Sequence, residues 1–166
     1  PTVAAVRVRG NNRVGTPAIL DAVLIKRGDT ASDAAIAVDV ESIRRLYLGR
    51  GFTRVQVTGR QEADAVRNTV DVIFDITEGP QTKIREVRFS GNSFASDSTL
   101  RRLMKTQRQS LLSSGDFQES VFEEDKRAIL DYYGRNGFID AAIVNADLSH
   151  VDDPAGERTN LDITLY

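Results

Sequence analysis

A chain of 166 residues, 40% of them hydrophobic and with a formal net charge of −2, has apolar material for one medium domain or two small ones. That balance provides no global field for DNA or an anionic membrane surface, and the lack of cysteine excludes disulfides, thiolate zinc sites and thiol catalysis. No apolar run approaches the ~18 residues of a spanning helix, no signal-peptide pattern is visible, and the chain opens in strand-like alternation, as expected of a piece of something longer.

The first strand is expected over Ala4–Arg9, where Ala4, Val6 and Val8 alternate with Arg7 and Arg9. "TPAILDAVLIK" then reads as a helix, with Thr16 as N-cap and Pro17 at the first helical position. A second helix carries Ile36, Val40, Ile43 and Tyr47 at helical spacing and stops at Gly51, as a C-terminal cap requires. Two strands follow, Thr53–Thr58 and Thr69–Thr77, joined by a polar connection. In the second of them Val70, Val72, Phe74 and Ile76 alternate cleanly, so one face of the sheet is apolar and the other can meet water.

After "ITEGPQ" the same order recurs. A strand at Arg85–Ser90 alternates Val87 and Phe89 against Glu86 and Arg88, with Ile84 out of phase as at a strand start or bulge. Ser96 is the expected cap of a helix presenting Leu100, Leu103 and Met104. Ser120 and Glu123 have capping-box spacing ahead of the stripe Phe122, Ile129, Tyr133, and that helix stops at Gly137. Strands at Ile139–Leu148 and Thr159–Leu165 close the chain, the last with Leu161, Ile163 and Leu165 on one face.

The recurrence is visible in the letters. "VRVRGNNRV" at Val6 aligns with "VRFSGNSF" at Val87. Asp39, Ile43, Tyr47, Gly51 and Phe52 fall on Asp125, Ile129, Tyr133, Gly137 and Phe138, and Asp71 falls on Asp162. Three anchors in one order define a repeat with a period of roughly 80 residues. The expected fold is α+β: two tandem β-α-α-β-β units, residues 1–79 and 80–166, each a three-stranded mixed sheet covered on one face by two helices. Glu78, Gly79, Pro80 and Gln81 form the expected hinge, too short and too rigid at proline for a flexible tether.

Catalytic, cofactor and metal-binding patterns are not found. The lone histidine, His150, falls in a polar connection and reads as a solvated loop residue. "EEDK" at Glu123 sits in a first helical turn, where acids favour the dipole, and reads as a solvated face. No Walker-type loop exists. The element order also opens the KH fold, but its GXXG clamp is missing from "KRGDTASD" and "QRQSLLSSGD", and the 22 Lys and Arg fall evenly on the two copies without a basic stripe.

What remains is an edge. A three-stranded sheet whose last strand pairs with both others leaves the strand after the second helix open to another chain. Its candidate residues are Arg54, Val55, Gln56 and Val57 in the first copy and Ala141, Ala142, Ile143, Val144, Asn145 and Ala146 in the second. Charge at Arg54 discourages pairing, whereas Ala141–Ala146 carries none, so the second edge is expected to be the more receptive.

The repeated "V-x-[VF]-x-G-N", a long helix ending in "Y-x-x-x-G-F" and a strand closing in "ITEG" resemble the POTRA domains of BamA-type outer-membrane protein assembly factors, over nearly the whole chain. The resemblance implies a periplasmic position ahead of a C-terminal membrane β-barrel. It implies a non-enzymatic role, without cofactors or nucleic acid: receiving unfolded outer-membrane β-barrel proteins through weak β-augmentation at the strand after the second helix, and docking accessory lipoproteins. The longer inter-helix segment "QRQSLLSSGD" resembles the third POTRA of longer arrays. A POTRA pair of a two-partner secretion transporter recognising an exported substrate is the alternative, and a plastid or TamA-like relative a further one.

Overall fold

The computed structural model describes residues 1–150 and 158–166, and it divides into two compact units, Pro1–Gly79 and Pro80–Tyr166. Unit 1 runs β1 (Thr2–Arg9), α1 (Thr16–Ala22), α2 (Asp33–Leu48), β2 (Gln56–Asp64) and β3 (Thr69–Thr77). Unit 2 runs β4 (Lys83–Ser90), α3 (Asp97–Leu103), α4 (Glu119–Arg135), β5 (Ile143–His150) and β6 (Arg158–Leu165). The sheets are ordered β1-β3-β2 and β4-β6-β5. Each central strand is parallel to the first strand of its unit (β1 or β4) and antiparallel to the second (β2 or β5), so the sheets are mixed. The parallel pair follows from the chain crossing over through both helices before it returns.

The helical stripe and the strand alternation meet in one core per unit. Ile19, Ile36, Ile43 and Tyr47 pack with Val70, Val72, Phe74 and Ile76 in unit 1. Leu100, Phe122, Ile129 and Tyr133 pack with Leu161, Ile163 and Leu165 in unit 2. The opposite face of unit 1 is not wholly wet. Ile73 is buried there, flanked in register by Arg7 and Arg60, whose guanidinium groups reach Asp71 and Asp75.

Ile84 is out of phase because of a bulge. The register of β4 shifts between Ile84 and Glu86, and that of β1 shifts at the matching place between Val3 and Ala5. Val3 and Ile84 therefore point inward ahead of the bulge, and Val87 does so after it. Both long helices end as their glycines imply. The Phe52 amide donates to the Tyr47 carbonyl and the Gly51 amide to Leu48; Phe138 and Gly137 repeat this on Tyr133 and Gly134. That is a Schellman closure, and it needs the left-handed φ of +85° at Gly51 and +93° at Gly137.

Other expectations are corrected. Thr16 lies inside α1 behind Gly15, its hydroxyl already accepting from Asn11 Nδ2. The Ser120–Glu123 box does not form: α4 starts at Glu119 with Gln118 as its cap, and Glu123 pairs with Lys126. Phe117 and Phe122, rings 5.8 Å apart, staple that end instead, fixing the helix start earlier than the box would. Strand β2 begins at Gln56 rather than Thr53 and runs to Asp64 through the stretch read as a connection. Phe52 and Val55 are both buried and take up residues 53–55 in a turn, and cross-strand pairing of Arg60 with Asp75 supports the polar remainder. Within it, a side chain at Gly59 would strike Ile36 and Val40, so glycine admits the close approach of α2. The backbone of His150 ends β5 opposite Thr159, not in a loop; the remainder of that expected connection, residues 151–157, lies outside the described residues.

Candidate functional site

Each sheet has two edges, and the inter-helix segment takes part of one. In unit 1 the Val3 amide donates to the Asp29 carbonyl and the Gly28 amide to Val3. In unit 2 the Ile84 amide donates to Gly115 and the Gln109 amide to Ile84, with Lys83 bridged to Asp116. The longer segment of the second copy thus runs along the outer side of β4. Among the described residues the outer edges of β2 and β5 carry no further paired strand or bridge.

Among the described residues β5 pairs only with β6. Ala142 and Tyr166 exchange both of their backbone hydrogen bonds (3.1 and 2.9 Å), which extends the pairing just ahead of the strand. By the alternation of an antiparallel ladder, the next residue, Ile143, turns its N–H and C=O away from β6. The register then shifts between Ile143 and Asn145, and Val144, 60% exposed, stands at the irregularity. Ala141, Ile143 and Ala146 pack on the core, while Val144 and Asn145 face out. Beside this edge lies a groove of about 590 Å³, walled by Ala141–Ala146 on one side and by Glu123, Lys126, Arg127 and Leu130 of α4 on the other. Lys126 crosses the Phe122 ring at 5.4 Å and pairs with Glu123 at 2.6 Å, so the rim is charged over an aliphatic floor.

The first-copy residues are placed differently. Arg54 and Val55 lie in the turn before β2, and Val55 is buried; only Gln56 and Val57 enter the strand. Further along, Gln61 Nε2 donates to Asp33 Oδ1 at 2.7 Å, tying the strand to the start of α2. Arg60 pairs with both Glu62 and Asp75. This strand carries charge, whereas Ile143–Ala146 at the start of β5 carry none; β5 begins at Ile143 and not at Ile139 as expected, so Ala141 and Ala142 lie ahead of the strand, Ala142 paired with Tyr166.

The burial of three acids, Asp39, Asp125 and Glu78, escapes the sequence reading. Asp39, 0% exposed, accepts from the Leu24 and Ile25 amides at 2.7 and 2.9 Å. Asp125, 1% exposed, accepts from the Lys105 and Thr106 amides at 2.6 and 2.9 Å. The "EEDK" stretch is therefore not a solvated face at Asp125. Glu78, 7% exposed, accepts from the Arg13 and Val14 amides and from the Tyr47 hydroxyl at 2.8 Å. Burial, and then this carboxylate, push the Tyr47 hydroxyl far above the ordinary tyrosine range. The signal for Asp39 was present: Ile36, Asp39, Ile43 and Tyr47 share one helical face. Of the other expected hinge residues, Gly79 has a φ of +68° and lies against Arg54, and Gln81 Nε2 donates to Asp116 at 3.2 Å.

Among the described residues no group of three or more His, Cys, Asp or Glu side chains could hold a metal ion, and no helix is long and apolar enough to cross a membrane. A family model, POTRA, described as a surface antigen variable number repeat, matches residues 1–79 and again residues 82–166. The chain belongs to the POTRA family. Its two units are tandem POTRA domains of the BamA type. A candidate outer membrane protein assembly factor of Treponema pallidum is 35% identical over 143 residues, 86% of this chain and 17% of that protein. The outer membrane protein assembly factor BamA of Neisseria meningitidis is 28% identical over 173 residues, 100% of this chain and 21% of that protein. The chain thus spans about a fifth of the length of these curated relatives. Among solved structures, Haemophilus influenzae BamA POTRA3-5 has the same fold, with a TM-score of 0.66 at 21% identity over 99% of this chain and 65% of that one.

Proposed function

We propose that this POTRA pair is a polypeptide-receiving part of an outer-membrane β-barrel assembly factor, held in the periplasm ahead of its own membrane β-barrel. In this reading the edge of β5 takes an extended segment of an unfolded outer-membrane protein as an added strand, and the units also dock accessory lipoproteins. Residues 79–81 act as the hinge that presents the edges, since Glu78, expected to belong to it, is held inside unit 1 by the Arg13 and Val14 amides and the Tyr47 hydroxyl. The observation that carries the reading is the outward backbone of Ile143 beside a groove of about 590 Å³, with no charge from Ala141 to Ala146. Family membership and the assembly-factor relatives support it.

Strand addition sets the affinity. Each main-chain hydrogen bond contributes only about 0.5–1.5 kcal/mol net, and ordering the incoming chain costs ~1–2 kcal/mol per residue. Binding is then weak and tolerant of sequence, as a receiving surface for many clients requires. The charged edge of β2 makes it the poorer acceptor.

Ile143→Pro removes the outward donor while leaving the Ala142–Tyr166 pair in place. Titration of a labelled barrel-strand peptide, followed by NMR, should shift resonances along β5 in the parent. The variant should lose this response and keep its helical circular dichroism. Equal binding by the variant, or shifts spread over the helices and absent from β5, would sink strand addition.

A further inference from the structure

The inter-helix segment of unit 1 covers β1 only at its start. Thr2 is bridged to Thr30, and the amide and carbonyl of Val3 meet Asp29 and Gly28. Among the described residues, no backbone group outside the β1–β3 ladder bonds to Val6 or Val8. Val3 turns its backbone away from β3. Past the register shift between Val3 and Ala5, the alternation of the ladder turns Val6 and Val8 outward as well. Unit 2 has the same arrangement. Its first strand shifts between Ile84 and Glu86, and Ile84 is pinned by its own inter-helix segment. The carbonyl of Val87, counterpart of Val6, then accepts from Arg101 Nη1 at 2.9 Å, outside the sheet.

The two units differ in how they treat this edge. Asn11 and Asn92 make matching bonds to the Val14 and Ala95 carbonyls, and the short helices α1 and α3 begin at matching places. Leu20 therefore stands where unit 2 has Arg101, and Ala5 stands where it has Glu86. Unit 2 caps its edge with a guanidinium and sets an exposed acid on it, which protects an edge from pairing. Unit 1 does neither. On the helix side its edge offers Val6, Val8 and Leu20, all partly buried against the core. On the other side it offers Arg7 and Arg9, both exposed. Arg7 engages Asp71 through Nε at 2.9 Å, and Arg9 has no ion pair among the described residues.

We propose that the outer edge of β1 at Val6–Arg9 docks an extended segment of another polypeptide whose residues alternate apolar and acidic. The outward N–H and C=O groups of Val6 and Val8 supply the main-chain bonds, and charge selects the partner. Opposite charges facing each other across a strand pair stabilise it, and like charges oppose it. On its inner side β1 already pairs with a strand of this kind. Val70, Val72 and Phe74 of β3 face the core, while Asp71 and Asp75 stand on the other face and Asp71 takes Arg7. A strand added outside β1 sets its acids opposite Arg7 and Arg9, and its apolar side chains opposite Val6 and Val8, beside Leu20. A guanidinium has five N–H donors, so Arg7 can keep Asp71 and still meet a second carboxylate. A second copy of β1 would set arginines against arginines, which disfavours self-pairing. This edge lies in unit 1 and does not rest on strand addition at β5.

Two blocked peptides test this, acetyl-Thr-Val-Asp-Val-Asp-Val-Thr-amide and the same peptide with lysine for both aspartates. Each is titrated into the isotope-labelled chain and followed by NMR. The aspartate peptide should move the Val6 and Val8 amides and bind there on the order of tenfold more tightly than the lysine peptide. That preference should shrink in 1 M salt, where the screening length is about 3 Å. Arg9→Glu changes an exposed side chain and should erase or reverse the preference. Val8→Pro removes an outward donor at an edge and should abolish the response to both peptides while helical circular dichroism persists. If Val8→Pro does not fold, Arg9→Glu decides alone. Ile143→Pro separates the two edges: it should leave the response at Val6 and Val8 intact, whatever happens at β5. Equal binding of the two peptides at β1, or a preference untouched by Arg9→Glu, overturns the acidic partner. Val6 and Val8 amides unmoved by either peptide overturn the edge. If the chain alone sediments as a dimer that Val8→Pro dissociates, the edge serves a second copy and the proposal is wrong.

Discussion

Glu78→Ala is expected to destabilise unit 1 by about 3–4 kcal/mol, near the upper end for single substitutions. Three donors converge on this carboxylate: the Arg13 amide at 2.9 and 3.0 Å from its two oxygens, the Val14 amide at 3.2 Å and the Tyr47 hydroxyl at 2.8 Å. Hydrogen bonds to a charged group contribute about 1.5–3 kcal/mol each, but they share one acceptor and are not additive. Water admitted to the space left by the side chain offsets part of the loss. Glu78→Gln should cost roughly half as much, because one oxygen remains to accept from Tyr47 while the new NH₂ opposes an amide. The measurement is native-state amide exchange, read separately for each unit. Protection should fall through α2 and β3 and stay level in β4–β6. A loss confined to residues 78–81, with unit 1 unaffected, would show that Glu78 serves the chain connection and not the core.

Much of the fold was legible because it rests on periodicity. The alternation of Val70, Val72, Phe74 and Ile76 and the stripe of Ile36, Ile43 and Tyr47 each define a face, and burying those faces against each other leaves few arrangements. The Gly-Phe pairs at Gly51 and Gly137 were legible because only one closure suits a left-handed residue followed by a large apolar one. The polar half of β2 was not. Its ladder is made by backbone groups, and residues such as Arg60 and Glu62 carry no apolar period to betray it. The start of α4 misled for a related reason: Ser120 and Glu123 have the spacing of a box, but burying Phe117 against Phe122 decides where the helix begins. The edge at Ala141–Ala146 was visible as an uncharged run. The outward backbone of Ile143 was not, since it depends on the Ala142–Tyr166 pairing and on the register shift that follows. The wall of the groove was hidden as well, because Lys126, Arg127 and Leu130 come from a helix remote in sequence.

Asp125→Ala is expected to cost unit 2 about 2–4 kcal/mol, and Asp39→Ala to cost unit 1 a similar amount. Both acids sit on the long helix of their unit and reach across to the chain just past the short one. Helix α1 ends at Ala22 and α3 at Leu103, each seven residues long. Helices so short are not stable alone and depend on tertiary anchors. Asp39 holds the Leu24 and Ile25 amides, and Asp125 holds those of Lys105 and Thr106, so each carboxylate fixes where the short helix docks. Alanine leaves two backbone donors without their acceptor, at about 1–3 kcal/mol for each that stays buried. Asparagine retains one acceptor oxygen and should fall between alanine and the parent. The exposed pair beside this site, Lys105 with Glu124 at 2.7 Å, supplies the control: Glu124→Ala should leave stability nearly unchanged, because solvent screens such pairs. Amide exchange distinguishes anchoring from general damage. In Asp125→Ala, protection should fall first in α3 and residues 104–106 and last in the β5–β6 ladder. If the ladder opens as early as α3, Asp125 supports the whole unit and not the docking of one helix. In the proposed strand addition α4 forms the far wall of the groove, so a variant that loosens α3 but keeps α4 against the sheet should keep the peptide response proposed for β5.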